Sequence, residues 1–485
     1  MTIRQKTISG FVWSTLDSGA SQVIQFIIGV ILARLLTPAE FGLIGMITVF
    51  IAISSAFIDG GLSDGLIRKQ NVTQADFSTV FYFNIIISFV LSGLLYSVAP
   101  LISDFYDENQ LTDLLRVQSL ILLFGGFGAI QKTTLIKELR FKTQTKITVI
   151  SSIFSGLIGI VLALKGFGVW SLVYRSVLNQ LINTLLLWYW IRWKPSMEFN
   201  KRSFQELFSF GSKLLMSRLL DTTYRNIYLL VIGKYFTASV LGNFTRATQF
   251  KNLPVQNISI VLTRVAYPSL SMIQDDIVKL KRGYKKMLKV SFLLSSVIML
   301  GMVAIAEPMI ITLIGEKWHN AISYLQILCI GGMLYPLQSL NLSILNVKGR
   351  SDLFLKLSII RKILAIPIIV LGLIYGIKIM LIGMTINSFI SYYLNSFYSG
   401  KQIEYDVKEQ IADILPIFLV AVLFSGITFL IGYILPFGFL YKLIIQVLSG
   451  GVLIITMLEI SKLESYLILK KIKVEYIANV RNERK

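Results

Sequence analysis

Arg218, Asp221 and Arg225 stand at i, i+3 and i+7 in residues 212–257, an otherwise apolar stretch that also carries Lys213, Arg246 and Lys251. That spacing puts the three on one helical face. Arginine grips oxyanions with paired, parallel hydrogen bonds, so a guanidinium stripe suits an anionic ligand. The stretch reads as two membrane-spanning helices, with Arg225 about 12 Å from the helix end near Lys234 and close to the bilayer middle. A charge at that depth costs at least about 2.5–3.5 kcal/mol, so it is expected to face a wet cavity and not lipid. The competing assignment is an ion pair with Asp221, which would neutralise it. Lys251 lies near the middle of its own span. Arg175 lies about 10 Å into another. Arg218 sits about a turn and a half from one face, where snorkelling competes with a cavity role. Arg246 is near the far end of its helix, as a gate or an interface anchor.

The elements that must position these cations are membrane helices. The chain has 485 residues, 54% of them hydrophobic and only 15% charged, against about 25% charged in soluble domains. Apolar runs divide it into about fourteen spans, roughly 12–32, 41–58, 80–102, 114–135, 147–164, 169–191, 212–233, 241–263, 288–312, 321–345, 356–375, 378–398, 414–434 and 437–458. Residues 1–10 are polar and the following run is long enough to span, which argues against a cleaved signal peptide. Cys329 is the single cysteine and His319 the single histidine. Neither an intrachain disulfide nor a cysteine or two-histidine metal site fits those numbers, and no metal or cofactor is expected.

The net charge of +21 is topogenic, not a nucleic-acid footprint. Thirty-five of the 47 Lys and Arg residues fall in one alternate set of connections, the termini included, and six in the opposite set. By the positive-inside rule both termini of this multi-pass membrane protein are cytoplasmic. Trp188, Tyr189, Trp190 and Trp193 mark the inner membrane interface.

An internal repeat sets the expected architecture. Residues 31–42 match residues 231–242 at an offset of 200, with identities at Thr37/Thr237 and Gly42/Gly242 and a basic residue at Arg34/Lys234. Six-span units whose ends lie on one side repeat in parallel about an axis along the membrane normal. The expected fold is therefore all-α and polytopic: about 14 transmembrane helices in two six-helix lobes related by a pseudo-two-fold axis, plus two extra C-terminal helices. The lobes are residues 1–192 and 212–400, joined by a cytoplasmic linker at 193–211. Spans 13 and 14 follow within 401–459, then a basic cytoplasmic tail at 460–485. A duplicated bundle with interior cations is the pattern of a transporter.

Several stretches resemble the polysaccharide (O-unit, Wzx-like) flippase branch of the multidrug/oligosaccharidyl-lipid/polysaccharide exporter superfamily. Ala33-Arg34-Leu35-Leu36-Thr37-Pro38-Ala39-Glu40-Phe41-Gly42 is similar to its first inter-helix turn, and Gly61-Leu62-Ser63-Asp64-Gly65 to the turn after span 2. Lys137-Glu138-Leu139-Arg140-Phe141-Lys142 resembles the basic loop after span 4. Arg225-Asn226-Ile227-Tyr228, Leu241-Gly242-Asn243-Phe244-Thr245-Arg246-Ala247 and Thr263-Arg264-Val265-Ala266-Tyr267-Pro268 resemble the span 7–8 hairpin and the turn beyond it. The likeness covers the first 270 residues; the rest matches mainly by hydropathy.

The resemblance implies a flippase for undecaprenyl-diphosphate-linked oligosaccharide, working by alternating access in cell-surface polysaccharide biosynthesis, with membrane lipids and polysaccharide polymerase or assembly proteins as partners. A lipid diphosphate needs deep cations, and its glycan needs amides and aromatic faces. Arg225, Lys251, Arg218, Arg175 and Arg246 offer the first. Asn226 and Gln249 lead the second group, with Gln22, Gln25, Asn179, Asn252, Gln256, Tyr224 and Tyr228. Asp17 and Asp221 are the carboxylates placed to pair with the cations or to couple an ion; a helix-end role competes for Asp17. Asp59 and Asp64, beside glycines, read as turn residues. Pro254 is placed to kink span 8 next to Lys251. An exporter of small organic cations would want a net acidic cavity, and a membrane polymerase or ligase would want large outer loops. The excess of buried arginine and the short connections count against each.

Overall fold

The computed structural model describes residues 21–58 and 61–471; Asp17 and Asp59 lie outside them. Every regular element among the described residues is helical. Among the described residues, ten helical segments are long and apolar enough to cross a membrane. The chain divides into two compact units, Met1–Thr245 and Arg246–Lys485.

The first unit holds α1 (Ser21–Leu35), α2 (Pro38–Ile58), α3 (Leu62–Arg68), α4 (Gln74–Tyr106), α5 (Leu111–Gln118), α6 (Leu120–Lys137), α7 (Phe141–Leu164), α8 (Trp170–Ile191), α9 (Lys201–Tyr235) and the first turns of α10 (Ala238–Ser271). Local chemistry explains the boundaries. Thr73 and Asp76 form a reciprocal capping box that starts α4, satisfying two orphan amides. At the far end of α3, the Lys137 ammonium donates to the Leu66 and Lys69 carbonyls, a cation on the negative end of a helix. The expected span 114–135 is two helices broken at Ser119. There the Ser92 hydroxyl donates to the Ser119 carbonyl at 3.1 Å, competing with the intrahelical ladder.

The identities of the 200-residue repeat have physical causes. Thr37 and Thr237 are equivalent helix caps, each hydroxyl accepting the amide three residues on, from Glu40 and Val240 at 3.4 Å. A Cβ added at Gly42 would lie 1.8 Å from the Ala238 carbonyl oxygen, and one added at Gly242 would lie 1.8 Å from the Pro38 carbonyl oxygen. Positions 38 and 238 are themselves matched by the offset, so the contact is reciprocal, as a local two-fold requires. Only glycine admits backbones this close.

The segment between α8 and α9 is stitched to the start of α4. The Trp193 indole N–H donates to the Gln74 side chain at 2.8 Å, Ser196 meets Ser78 at 2.9 Å, and the Asn200 amide donates to Thr79 Oγ1 at 2.9 Å. Asn200 then caps α9, accepting from the Arg202 and Ser203 amides. Residues 201–211, read from sequence as linker, are the first turns of that helix. Of the interface aromatics, Trp188 and Trp193 turn inward onto Phe81 and join a core of Leu62, Leu66, Val80, Ile130 and Leu207. Tyr189 stays exposed.

The second unit holds the rest of α10 and then α11 (Ile277–Ala304), α12 (Ala306–Ile314), α13 (His319–Gly332), α14 (Tyr335–Val347), α15 (Ser351–Tyr375), α16 (Ile377–Gly400), α17 (Val407–Ile434) and α18 (Phe439–Ser461). Two expected spans are broken here. Pro308 has no amide to continue the α11 ladder past Ile305, and Pro336 sits in the first turn of α14, where its missing donor costs nothing. Polar side chains bind the helices together. Asn341 accepts from Tyr284 and, at 2.7 Å, from Ser399, and donates to Ser396 at 3.1 Å, tying α11, α14 and α16 in a buried network. In an apolar surround such bonds replace the hydrophobic drive between helices.

Candidate functional site

The sequence-derived cations separate into those that are tied down and those that are not. Along α9, Leu207, Gly211 and Arg218 face α3. A Cβ at Gly61, which has φ of +71°, would lie 2.0 Å from the Gly211 carbonyl oxygen. One stride along, Arg218 Nη2 meets Asp64 Oδ2 at 2.5 Å. Asp64 is therefore an ion-pair partner as well as a first-turn residue of α3. Arg225 lies ten residues, about 15 Å, before the end of α9. It is exposed, and no ion pair to Asp221 or to any other described residue neutralises it. Asp221 is exposed too and has contacts of its own. The Asn226 amide donates to the Thr222 carbonyl of its own helix at 2.8 Å, leaving its oxygen uncommitted.

In the second unit, Arg246 is 7% exposed. Its guanidinium donates to Gln249 Oε1 and lies 5.9 Å from the Trp318 ring centroid. Gln249 is thus engaged in holding Arg246. One turn beyond, Lys251 lays its methylenes across Gly332 of α13, where an added Cβ would lie 3.2 Å from Lys251 Cγ. Among the described residues its ammonium has no hydrogen-bond or ion-pair partner. The helix runs on through Pro254, which cannot donate to the Phe250 carbonyl and so weakens α10 just past Lys251.

Arg175 is held in the first unit by Gly159 of α7, which packs on its Cβ. Four and eight residues on, Asn179 and Asn183 continue the same α8 face. Their amides donate to Ser155 Oγ at 3.0 Å and Ser151 Oγ at 3.4 Å. With Gln180, Ser55 and Lys132 they line a cavity of about 240 Å³, kept open on the α6 side by Gly125 and Gly128. The lining has one cation, three amides and no carboxylate, a set that donates to anions and hydroxyls and does not attract cations. Asn179 is an amide expected from sequence. Lys132, Gln180 and Asn183 are not, although three amides in one apolar helix are themselves a signal of function. Lys132 passes in sequence as one more basic residue of a cytoplasmic loop.

Comparison with known proteins places the chain. Residues 31–323 match the family model described as polysaccharide biosynthesis protein. The chain is 30% identical to the teichuronic acid biosynthesis protein TuaB of Bacillus subtilis (strain 168), over 73% of each chain. It is 27% identical to the lipopolysaccharide biosynthesis protein WzxC of Escherichia coli (strain K12), over 82% of this chain and 81% of that one. Among solved structures, the lipid II flippase MurJ in an inward closed conformation superposes with a TM-score of 0.75 at 16% identity, covering 93% of this chain and 98% of MurJ. That likeness establishes a shared polytopic helical fold.

Proposed function

From the premise that the chain belongs to the polysaccharide biosynthesis protein family, we propose that it flips polyprenyl-diphosphate-linked oligosaccharide units across the bacterial cytoplasmic membrane for cell-surface polysaccharide assembly. The mode is alternating access by two six-helix lobes, residues 1–192 and 212–400, among 14 transmembrane helices with both termini cytoplasmic. The reciprocal crossing at Gly42 and Gly242 supports the pseudo-two-fold relation. The family relatives named for polysaccharide biosynthesis support the substrate class.

The observation that carries the reading is Arg225, a cation well inside α9 that no described residue of its own unit neutralises. Arg225 takes the diphosphate, where charge-assisted hydrogen bonds are each worth about 1.5–3 kcal/mol; Lys251 is a separate candidate cation of the second unit. The amides of Asn179, Gln180 and Asn183, with Lys132, take glycan hydroxyls and any acidic substituent. Arg175 flanks that set. Arg218 and Arg246 hold helices in register through Asp64 and Trp318. The protein makes and breaks no covalent bond in this cycle. The polyprenyl tail stays in lipid while the head crosses, and a polymerase or assembly protein receives the product.

Reconstitution tests this. Liposomes carrying the protein and a fluorescent polyprenyl-diphosphate oligosaccharide are expected to expose the label to a membrane-impermeant quencher, and Arg225→Ala to abolish that exposure. Export of small organic cations without lipid flipping would overturn the reading.

A further inference from the structure

On the first unit, away from the polar cavity, a groove of about 670 Å³ opens between α4, α5 and the start of α8. Its wall on α4 is Phe89, Ser92, Gly93 and Tyr96, at i, i+3, i+4 and i+7, one helical stripe. Gly93 opens it: no atom lies within 4 Å of a Cβ added there. Arg116 stands opposite, five residues and about 8 Å into α5. Trp170, the first residue of α8, closes the end. Arginine beside tryptophan and tyrosine is a combination of residue types enriched at membrane–water interfaces.

Arg116 is held but not satisfied. Its guanidinium carbon lies 4.9 Å from the Tyr96 ring centroid. Its Nε is buried with no hydrogen-bond partner. The nearest carboxylate, Asp113 Oδ1, is 3.8 Å from Nη1, beyond hydrogen-bond length. Asp113 itself is 73% exposed and lines the same groove. The site therefore presents a cation with free donors and an anion with free acceptors side by side, over an apolar floor of Phe89, Leu120 and Leu123.

We propose that this groove binds the headgroup of an ethanolamine phospholipid. The phosphate takes the guanidinium of Arg116, the primary ammonium takes the Asp113 carboxylate, and an acyl chain lies on the apolar floor. The charge pattern selects this occupant. A glycerol headgroup offers the same phosphate to Arg116 but no cation to pair with Asp113. A choline headgroup carries a cation with no N–H to donate. Ethanolamine supplies three N–H donors one linker away from its phosphate, matching the two charges in sign and adjacency.

Native mass spectrometry of the full chain in detergent with equimolar phosphatidylethanolamine, phosphatidylcholine and phosphatidylglycerol reads the preference directly, without any flipping assay. Wild type is expected to retain phosphatidylethanolamine about fivefold or more over the other two, a difference of about 1 kcal/mol. Arg116→Gln should erase the preference. Asp113→Asn, at an exposed position that leaves packing intact, should move it to phosphatidylglycerol. Equal retention of the three lipids by wild type, a wild-type preference for phosphatidylglycerol, or an unchanged preference in Asp113→Asn overturns the assignment.

Discussion

On α11, Lys281, Lys285 and Lys289 recur every four residues; on α9, Arg218 and Arg225 recur at seven. Both patterns make a basic stripe along one helical face. The α11 stripe is closed by carboxylates of the same unit. Glu409 meets Lys281 at 2.7 Å, Asp413 meets Lys285 at 2.7 Å and Lys289 at 3.0 Å, and Glu464 meets Lys289 at 2.7 Å. Tyr405 adds a hydrogen bond to Asp413. Among the described residues the α9 stripe is closed only at its first position, by Asp64, and Arg225 is left open. A charge ladder with a partner at every rung fastens helices. A charge without a partner keeps its field for a ligand. Basic spacing alone does not tell the two apart.

Breaking the ladder is expected to have the largest effect. Asp413→Ala strips Lys285 and Lys289 of a shared, largely buried partner, whose side chain is 14% exposed. Loss of one member of a buried pair costs about 3–5 kcal/mol, and the remaining contacts to Glu409 and Glu464 reduce this to about 2–4. Thermal unfolding of the detergent-solubilised protein reads it. Unchanged stability would remove the structural half of the contrast.

Arg225→Ala comes next, with the signature reversed. Flipping in liposomes should fall by at least about tenfold, in line with one lost charge-assisted contact, while the unfolding temperature stays within error of wild type. A destabilised but fully active variant would put Arg225 with the ladder lysines. Asp64→Asn is expected to do least. Its pair with Arg218 is 30% and 44% exposed, so the loss is about 0–1 kcal/mol with near-normal flipping. A transport defect as deep as that of Arg225→Ala would mean that Arg218 also reaches substrate.

The polytopic helical class was legible from composition, and so was the family, from the turns around Thr37–Pro38, Gly61–Asp64 and Leu241–Arg246. The repeat was visible at Thr37/Thr237 and Gly42/Gly242, yet its cause was not. A cap can be read from Thr-x-x-Glu at Thr37 and Glu40, but that Gly42 faces the carbonyl of residue 238 depends on chain nearly two hundred residues away. Helix breaks at Ser119 and Met333 were missed for the same kind of reason. Each has a carbonyl taken by a serine of another helix, Ser92 and Ser295, and a hydropathy run carries no trace of that competition. The cavity set of Lys132, Gln180 and Asn183 was overlooked because Lys132 counts in sequence as topogenic charge.

By itself the sequence determined what has to lie within a membrane, because the length and polarity of each apolar run set the cost of placing it in lipid. It also determined which residues carry charge inside those runs. Which of those charges are cancelled was decided by the tertiary structure. Coulomb attraction and hydrogen bonding act over a few ångströms, and the carboxylates that meet Arg218 and Lys289 arrive from more than one hundred residues away in the chain.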